Sequence, residues 1–329
     1  MYLNLFFLIT AALSLASVAK AGTYSQCQAS DSSLQGCPSG TKYVAAGTKI
    51  QTAIDSGAAY ILIAPGTYNE QLKVSKNLVM LGSTKGTVTV THSAYKDLSG
   101  SGANRDAATL YVSGSTFYAY DIVFANTADD KTTASQPLGP AAAVYFETNA
   151  KASLYNCQVK SWQDSLYAGG NFFMYKGSVW GWVDMLYGDG KSWFSGVTIY
   201  NRGCGGGITA WRGASGGAVI QEGGRVTIAS DARSGTSGCY LGRPWDSKMK
   251  SSYLNTVMDS VVNLKGWSTW SSSDPRYTEG QTIFEEYNSS GAGYDASKRQ
   301  LVKILTSNPY TIKGFFGDTS FIDSGTASI

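Results

Sequence analysis

The stretch that decides the fold runs from Ser161 to Gly190: Ser161-Trp162-Gln163-Asp164-Ser165-Leu166-Tyr167, then Gly181-Trp182-Val183-Asp184-Met185-Leu186-Tyr187, with Gly170 and Gly190 each three residues further on. The offset is constant, since 182−162, 184−164, 186−166, 187−167 and 190−170 all equal 20. A period near 20 residues marks a solenoid, in which each turn stacks on the next. Stacked parallel strands lie about 4.7–4.9 Å apart. One repeat per turn therefore sets Asp164 above Asp184, too close for both to ionise freely. Such crowding splits two carboxyl groups into an acid and a nucleophile or base.

The periodicity extends outward. Val159, Val179 and Ile199 keep the same step (179−159 and 199−179). Short strands are expected at 60–64, 78–81, 88–90, 118–124, 153–159, 172–179, 193–199, 226–228, 253–258 and 260–264. A short helix over Lys49–Ile54 would cover one end of the coil. Residues 279–287 and 296–306 read as a C-terminal cover, the latter helical. Residues 125–140 read as a polar insertion walling a cleft. Short parallel strands at this spacing predict an all-β, single-stranded right-handed parallel β-helix. A β-propeller would need repeats of roughly 40 residues or more.

The totals agree. The chain has 329 residues, with 43% hydrophobic, 15% charged, 38 glycines and 21 tyrosines. That suits a folded chain rich in turns and aromatic strands. A net charge of +3 gives no reason to expect nucleic acid and tolerates a polyanionic partner. Met1–Ala21 reads as a secretory signal, apolar from Leu3 to Leu15 with Ala19-Lys20-Ala21 at the cleavage site. No later run is long enough to span a bilayer. Residues 22–329 are expected to form one exported, monomeric domain, as no linker divides them. Cys27 and Cys37 are one candidate disulfide, and Cys204 and Cys239 another, which would leave Cys157 as a buried thiol. His92 is the only histidine, which removes a His-rich metal site. Neither a metal nor a cofactor is expected. Asn288-Ser289-Ser290 is a glycosylation acceptor pattern.

On its motifs the chain resembles the pectin methylesterases. Gln163-Asp164-Ser165-Leu166-Tyr167 is similar to that family's Gln-Asp-Thr-Leu-Tyr block, and Gly181–Gly188 to its Gly-Thr-Val-Asp-Phe-Ile-Phe-Gly block. Leu241-Gly242-Arg243-Pro244-Trp245 matches its Leu-Gly-Arg-Pro-Trp block. Gly266-Trp267, with Trp270, resembles the Gly-Trp-x-x-Trp segment, and Gly66-Thr67-Tyr68-Asn69-Glu70 the early Gly-x-Tyr-x-Glu. The blocks follow the family's order. The resemblance implies a right-handed parallel β-helix that removes the C6 methyl ester of galacturonate in pectin, releasing methanol. It implies Asp184 as nucleophile, Asp164 as general acid and then base, Arg243 as partner of Asp184, and Gln163 as oxyanion donor. Tyr167, Tyr187, Trp182, Trp245 and Trp267 would contact the sugar rings.

The departures are specific. The family's second oxyanion glutamine falls here on Ala142, within Ala142-Ala143-Val144. Losing one such donor costs roughly 2.7–4 kcal/mol. Gln136 in the insertion is a candidate substitute; a slow enzyme or another ester substrate are the alternatives. Trp182 stands where the family has threonine, and Gly177 where it has the cysteine one turn after Cys157. Among rivals, a polygalacturonase would carry Gly-His-Gly, whereas His92 sits in Thr91-His92-Ser93. A pectate lyase would need a calcium cluster. A non-catalytic pectin binder would be indifferent to Ala142.

Overall fold

The computed structural model describes residues 24–96, 103–128 and 139–327. The signal-like segment Met1–Ala21 and Gln136 lie outside them. Within the described residues, short strands stack into three parallel sheets of 11, 8 and 7 strands, and the chain visits the sheets in turn. This is the right-handed parallel β-helix that the 20-residue offset predicts. Lys151–Tyr155, Asn171–Tyr175 and Lys191–Ser195 pair residue for residue at that step.

Each rung is built the same way. A strand of alternating burial sends its apolar residues into the coil, so equal positions form columns. One column runs Phe124, Val159, Val179, Ile199, Val226. Another runs Leu72, Leu110, Val144, Leu166, Leu186. All are at most 1% exposed. Burying each such side chain contributes roughly 1.5–3 kcal/mol, and the interior is continuous from Val44 to Phe284.

Corners repeat as well. Between the 11-stranded and 8-stranded sheets, Asp121, Asn156, Lys176, Asn255 and Asn288 all take positive φ, from 48 to 57°. Asn and Asp adopt that region more readily than most residues. Asn156 donates its amide to Asp121, and Asn288 to Asn255. At Gly177 the next rung comes so close that a Cβ would stand 2.0 Å from the Cys157 carbonyl oxygen. A cysteine there would force the rungs apart, and Cys157 remains a buried free thiol. Cys27 bonds to Cys37, and Cys204 to Cys239.

The ends are covered differently. At the N-terminal end lies a helix, Ile50–Asp55. Its first N–H groups, from Ile50 and Gln51, donate to the Glu70 carboxylate at 2.7 and 3.1 Å. Glu70 of the Gly-x-Tyr-x-Glu stretch therefore satisfies donors that a helix start leaves open. At the C-terminal end the expectations need two corrections. Residues 296–306 are not helical; they turn, and contribute only the two-residue strand Lys303–Ile304 to the edge of the 11-stranded sheet. The reason is Arg299, whose guanidinium is pulled inward to the Asn263 and Leu264 carbonyls and to Glu286, while Gln300 N–H donates to Lys265. The second correction is at 260–264, where only Val262 makes an isolated bridge, to Cys239, rather than a strand. Past Ser271 the 11-stranded sheet still gains a five-residue strand, Ile283–Tyr287.

Candidate active site

The site lies beside the seven-stranded sheet. Its outward column, rung by rung, is Lys73, Tyr111, Tyr145, Tyr167, Tyr187, Ala210, Arg243. Asp164 and Asp184 precede this column by three residues, at the corner where the chain enters the sheet. Both have positive φ, 59° and 49°. The backbone fixes them there, because Asp164 N–H donates to the Val183 carbonyl and Asp184 N–H to Gly207. The two residues before Leu166 and Leu186 are thus stacked one rung apart, as the repeat predicts.

Arg243 reaches back across a rung to Asp184. Its Nε and Nη2 meet the two carboxylate oxygens at 3.0 and 2.7 Å. This two-point pairing fixes the plane and aim of the carboxylate. Room for the guanidinium comes from Gly206, where a Cβ would stand 2.7 Å from Arg243 Cζ. The Trp270 ring covers the guanidinium at 4.0 Å, with Arg276 on the same indole at 4.3 Å.

The two carboxyl groups differ in their surroundings. They are 9% and 6% exposed. Burial raises Asp164 well above the usual carboxylate range, and the neighbouring charge of Asp184 adds to the rise; Arg243, the Gln163 amide and Lys96 oppose it. Burial also raises Asp184, but the hydrogen bonds and charge of Arg243 work directly against that. Of the pair, Asp164 is pushed harder toward keeping its proton, while Arg243 favours the charged form of Asp184. An anionic oxygen next to a protonated carboxyl is the equipment for nucleophilic attack with acid assistance.

The expected sugar contacts separate into groups. Tyr167 and Trp245 are half-buried, each against Tyr187. Tyr167 stacks on Tyr145 at 4.1 Å, and Arg212 covers Trp245 at 4.2 Å. Tyr187 is only 3% exposed, with Tyr167 and Trp245 on its flanks, so it presents no free ring face. Trp182 is 8% exposed; it meets Trp162 edge-on and lies under Arg233 at 3.8 Å. Trp267 departs furthest from expectation. It is 1% exposed, stacks on Phe284 and donates its indole N–H to Glu286, and so belongs to the core. Its neighbour Trp270, three residues on, is the tryptophan at the carboxylates. Trp267 bridges Gly242 in register, which turns its side chain inward.

Asn104 was not legible in the sequence. It begins a single 3-10 turn, Asn104–Ala107, and donates its amide to Asp164 Oδ2 at 3.1 Å. Sixty positions separate the two residues, and no spacing links them. Ala142 is fully buried and brings only a methyl group. Its carbonyl accepts from the Asn126 amide.

Known proteins resemble this chain along most of its length. The pectinesterase family model matches residues 39–323. A probable pectinesterase A of Aspergillus niger is 32% identical over 262 residues, covering 74% of this chain and 73% of that protein. Among solved structures, the deglycosylated pectin methylesterase of Aspergillus niger superposes with a TM-score of 0.72 at 28% identity, covering 86% of this chain and 95% of that one. Carrot pectin methylesterase shares the fold, with a TM-score of 0.74 at 24% identity over 88% and 96% of the two chains. With a matching family and a matching coil, this chain belongs to the pectinesterase family.

Proposed function

We propose that the protein hydrolyses the C6 methyl esters of galacturonate units in pectin, with Asp184 as nucleophile and Asp164 as acid and base. Family membership supports the reaction. The observation that carries the assignment of roles is the asymmetry of the pair: Arg243 grips Asp184 at both oxygens and makes no such fork to Asp164.

An Asp184 oxygen attacks the C6 carbonyl carbon, and the carbonyl electrons move onto oxygen. Gln163, next to Asp164 in the chain, donates to that oxyanion. As the tetrahedral adduct collapses, the C–OCH3 bond breaks and Asp164 gives its proton to the leaving oxygen, releasing methanol. Asp164, now a carboxylate, takes a proton from water as the water oxygen attacks the Asp184–acyl bond. Galacturonate leaves, Asp184 recovers its charge, and Asp164 is protonated again. Tyr167, Trp245 and Trp270 offer aromatic surface beside the reacting group, suited to the apolar face of a sugar.

Two disulfides suit an oxidising compartment, and with the leader Met1–Ala21 they support secretion to the extracellular space or cell wall. Among the described residues no helix is long and apolar enough to cross a membrane. Among the described residues the strands from Lys42 to Ile304 belong to one coil, which supports a single domain.

The test is methanol release from highly methylated pectin by the protein and by Asp184→Asn, with and without EDTA. Release that EDTA leaves alone and the substitution abolishes is the expected result. Pectin binding without methanol from the unmodified protein would overturn the reading, as would ultraviolet-absorbing unsaturated products.

A further inference from the structure

The edge where strands leave the seven-stranded sheet changes charge along the coil. Counting on one residue from the register partners Phe146, Ala168, Gly188, Trp211 and Pro244, that edge reads Glu147, Gly169, Asp189, Arg212, Trp245. Asp184 belongs to the rung that ends at Asp189. Arg212 therefore stands one rung beyond the nucleophile, and Glu147 two rungs before it. Successive rungs are about 4.7–4.9 Å apart.

Arg212 differs from most arginines of this chain. Arg105, Arg202, Arg225, Arg243, Arg276 and Arg299 each meet a carboxylate. Among the described residues Arg212 meets none, and it is exposed. It is nevertheless held in place. Its backbone N–H donates to the Gly188 carbonyl at 2.9 Å, and its guanidinium lies 4.2 Å over the Trp245 ring. A guanidinium laid on an indole face keeps its planar fork of N–H groups for another partner. Trp245 is tied in turn to the reacting pair. Arg276 donates to its carbonyl at 3.1 Å and rests on Trp270, which also covers Arg243. The acids of this edge are already engaged. Asp189 accepts from the Ser215 N–H and hydroxyl at 3.2 and 3.0 Å. Glu147 accepts from Arg105 and from the Tyr111 hydroxyl at 3.3 and 3.2 Å. Arg105 is thus spent on Glu147, and the spare cation stands on one side of the nucleophile only.

We propose that Arg212 is a specificity-determining residue that binds the free carboxylate of a galacturonate unit next to the one being demethylated. The inference rests on the pectin esterase reading given above. A methylated neighbour presents no charge to the guanidinium. An unmethylated one presents two oxygens, which the fork can take together. The enzyme would therefore prefer an ester with an acidic neighbour on the Arg212 side. This contact lies outside the reacting bonds and is the same in bound substrate and in the adduct, so it acts on KM rather than kcat.

The test compares methanol release from highly methylated pectin and from the same pectin partly demethylated with mild alkali. The parent should show the lower KM, per remaining ester, on the partly demethylated polymer. Arg212→Gln should raise that KM relative to the KM on highly methylated pectin by roughly three- to fivefold, the range of an exposed ion pair. Its kcat ratio between the two polymers and its thermal midpoint should stay with the parent's. Added salt should shrink the parent's preference, and Arg212→Lys should keep part of it. A parent without the preference, or an Arg212→Gln enzyme whose two KM values move together or not at all, would make the arginine a cover for Trp245 and overturn the proposal. No methanol from either polymer with the parent defeats the esterase reading itself. Methanol from both, with the same KM ratio in parent and Arg212→Gln, defeats only this inference.

Discussion

At the C-terminal end of the coil the side chains of Arg299 and Glu286 are 1% and 0% exposed. Glu286 accepts from the Trp267 indole as well as from Arg299, and Arg299 fills its other donors with the Asn263 and Leu264 carbonyls and the Met258 sulfur. In the groove, Arg243 and Asp184 retain 18% and 8%. There the arginine meets the carboxylate in a similar way, but beyond the carboxylate lies a second carboxyl group. The same ion pair is scaffold where its surroundings close every valence. It is equipped for chemistry where one side is left facing a second carboxyl group.

Substitutions can break this contrast. The largest effect is expected from Asp184→Asn, which removes the attacking oxygen: methanol release should fall by more than roughly 10³-fold, while circular dichroism shows the coil intact. Next comes Arg299→Met against Arg243→Met, compared by denaturant unfolding. Leaving Glu286 charged and alone in the interior should cost about 3–5 kcal/mol. The groove substitution should cost less than half of that and abolish most activity. Equal losses of stability would erase the distinction drawn between the pairs.

Neighbouring tryptophans sharpen it further. Trp267→Ala should destabilise by about 3–5 kcal/mol. Trp270→Ala should leave unfolding nearly unchanged and weaken activity roughly tenfold, on the order of 1–2 kcal/mol for an aromatic cover on a guanidinium.

The smallest effect is on stability against pH. Both groove carboxyls have folded values raised by burial. A raised group contributes stability that is fully present below its unfolded value, about 3.9, and lost as pH climbs through the folded value. The contribution of this pair should therefore decline from acid toward neutral pH, and the stability difference between the parent and Asp164→Asn should shift against the parent as pH rises. Activity runs differently: it fails below the pair's lower titration, when Asp184 is protonated, and above the upper one, when Asp164 gives up its proton. A difference between parent and Asp164→Asn that moves in the parent's favour as pH rises would contradict the assigned direction.

Much of this was legible from one stretch. The constant step of 20 residues carries the coil, because parallel rungs make sequence offset and spatial neighbour the same thing. It therefore also brought Asp164 to Asp184. Arg243 was legible only through the Leu-Gly-Arg-Pro-Trp block, since its rung follows irregular loops. The misses have separate physical origins. Trp267 and Trp270 look alike in sequence, and only register decides which faces inward. Asn104 enters from a turn outside the repeat, where no periodicity reports its position. The helix expected at 296–306 yielded to the inward pull on Arg299, a tertiary contact that outweighs local propensity.

The final strand, Lys303–Ile304, has a consequence beyond this molecule. A parallel coil is an open stack, and its last rung displays backbone groups ready to accept another rung from a second chain. In the 11-stranded sheet that invitation is limited to two residues, one of them a lysine. Polymerisation, a standing hazard for any ladder of identical steps, is refused by making the top step too narrow and too charged to stand on.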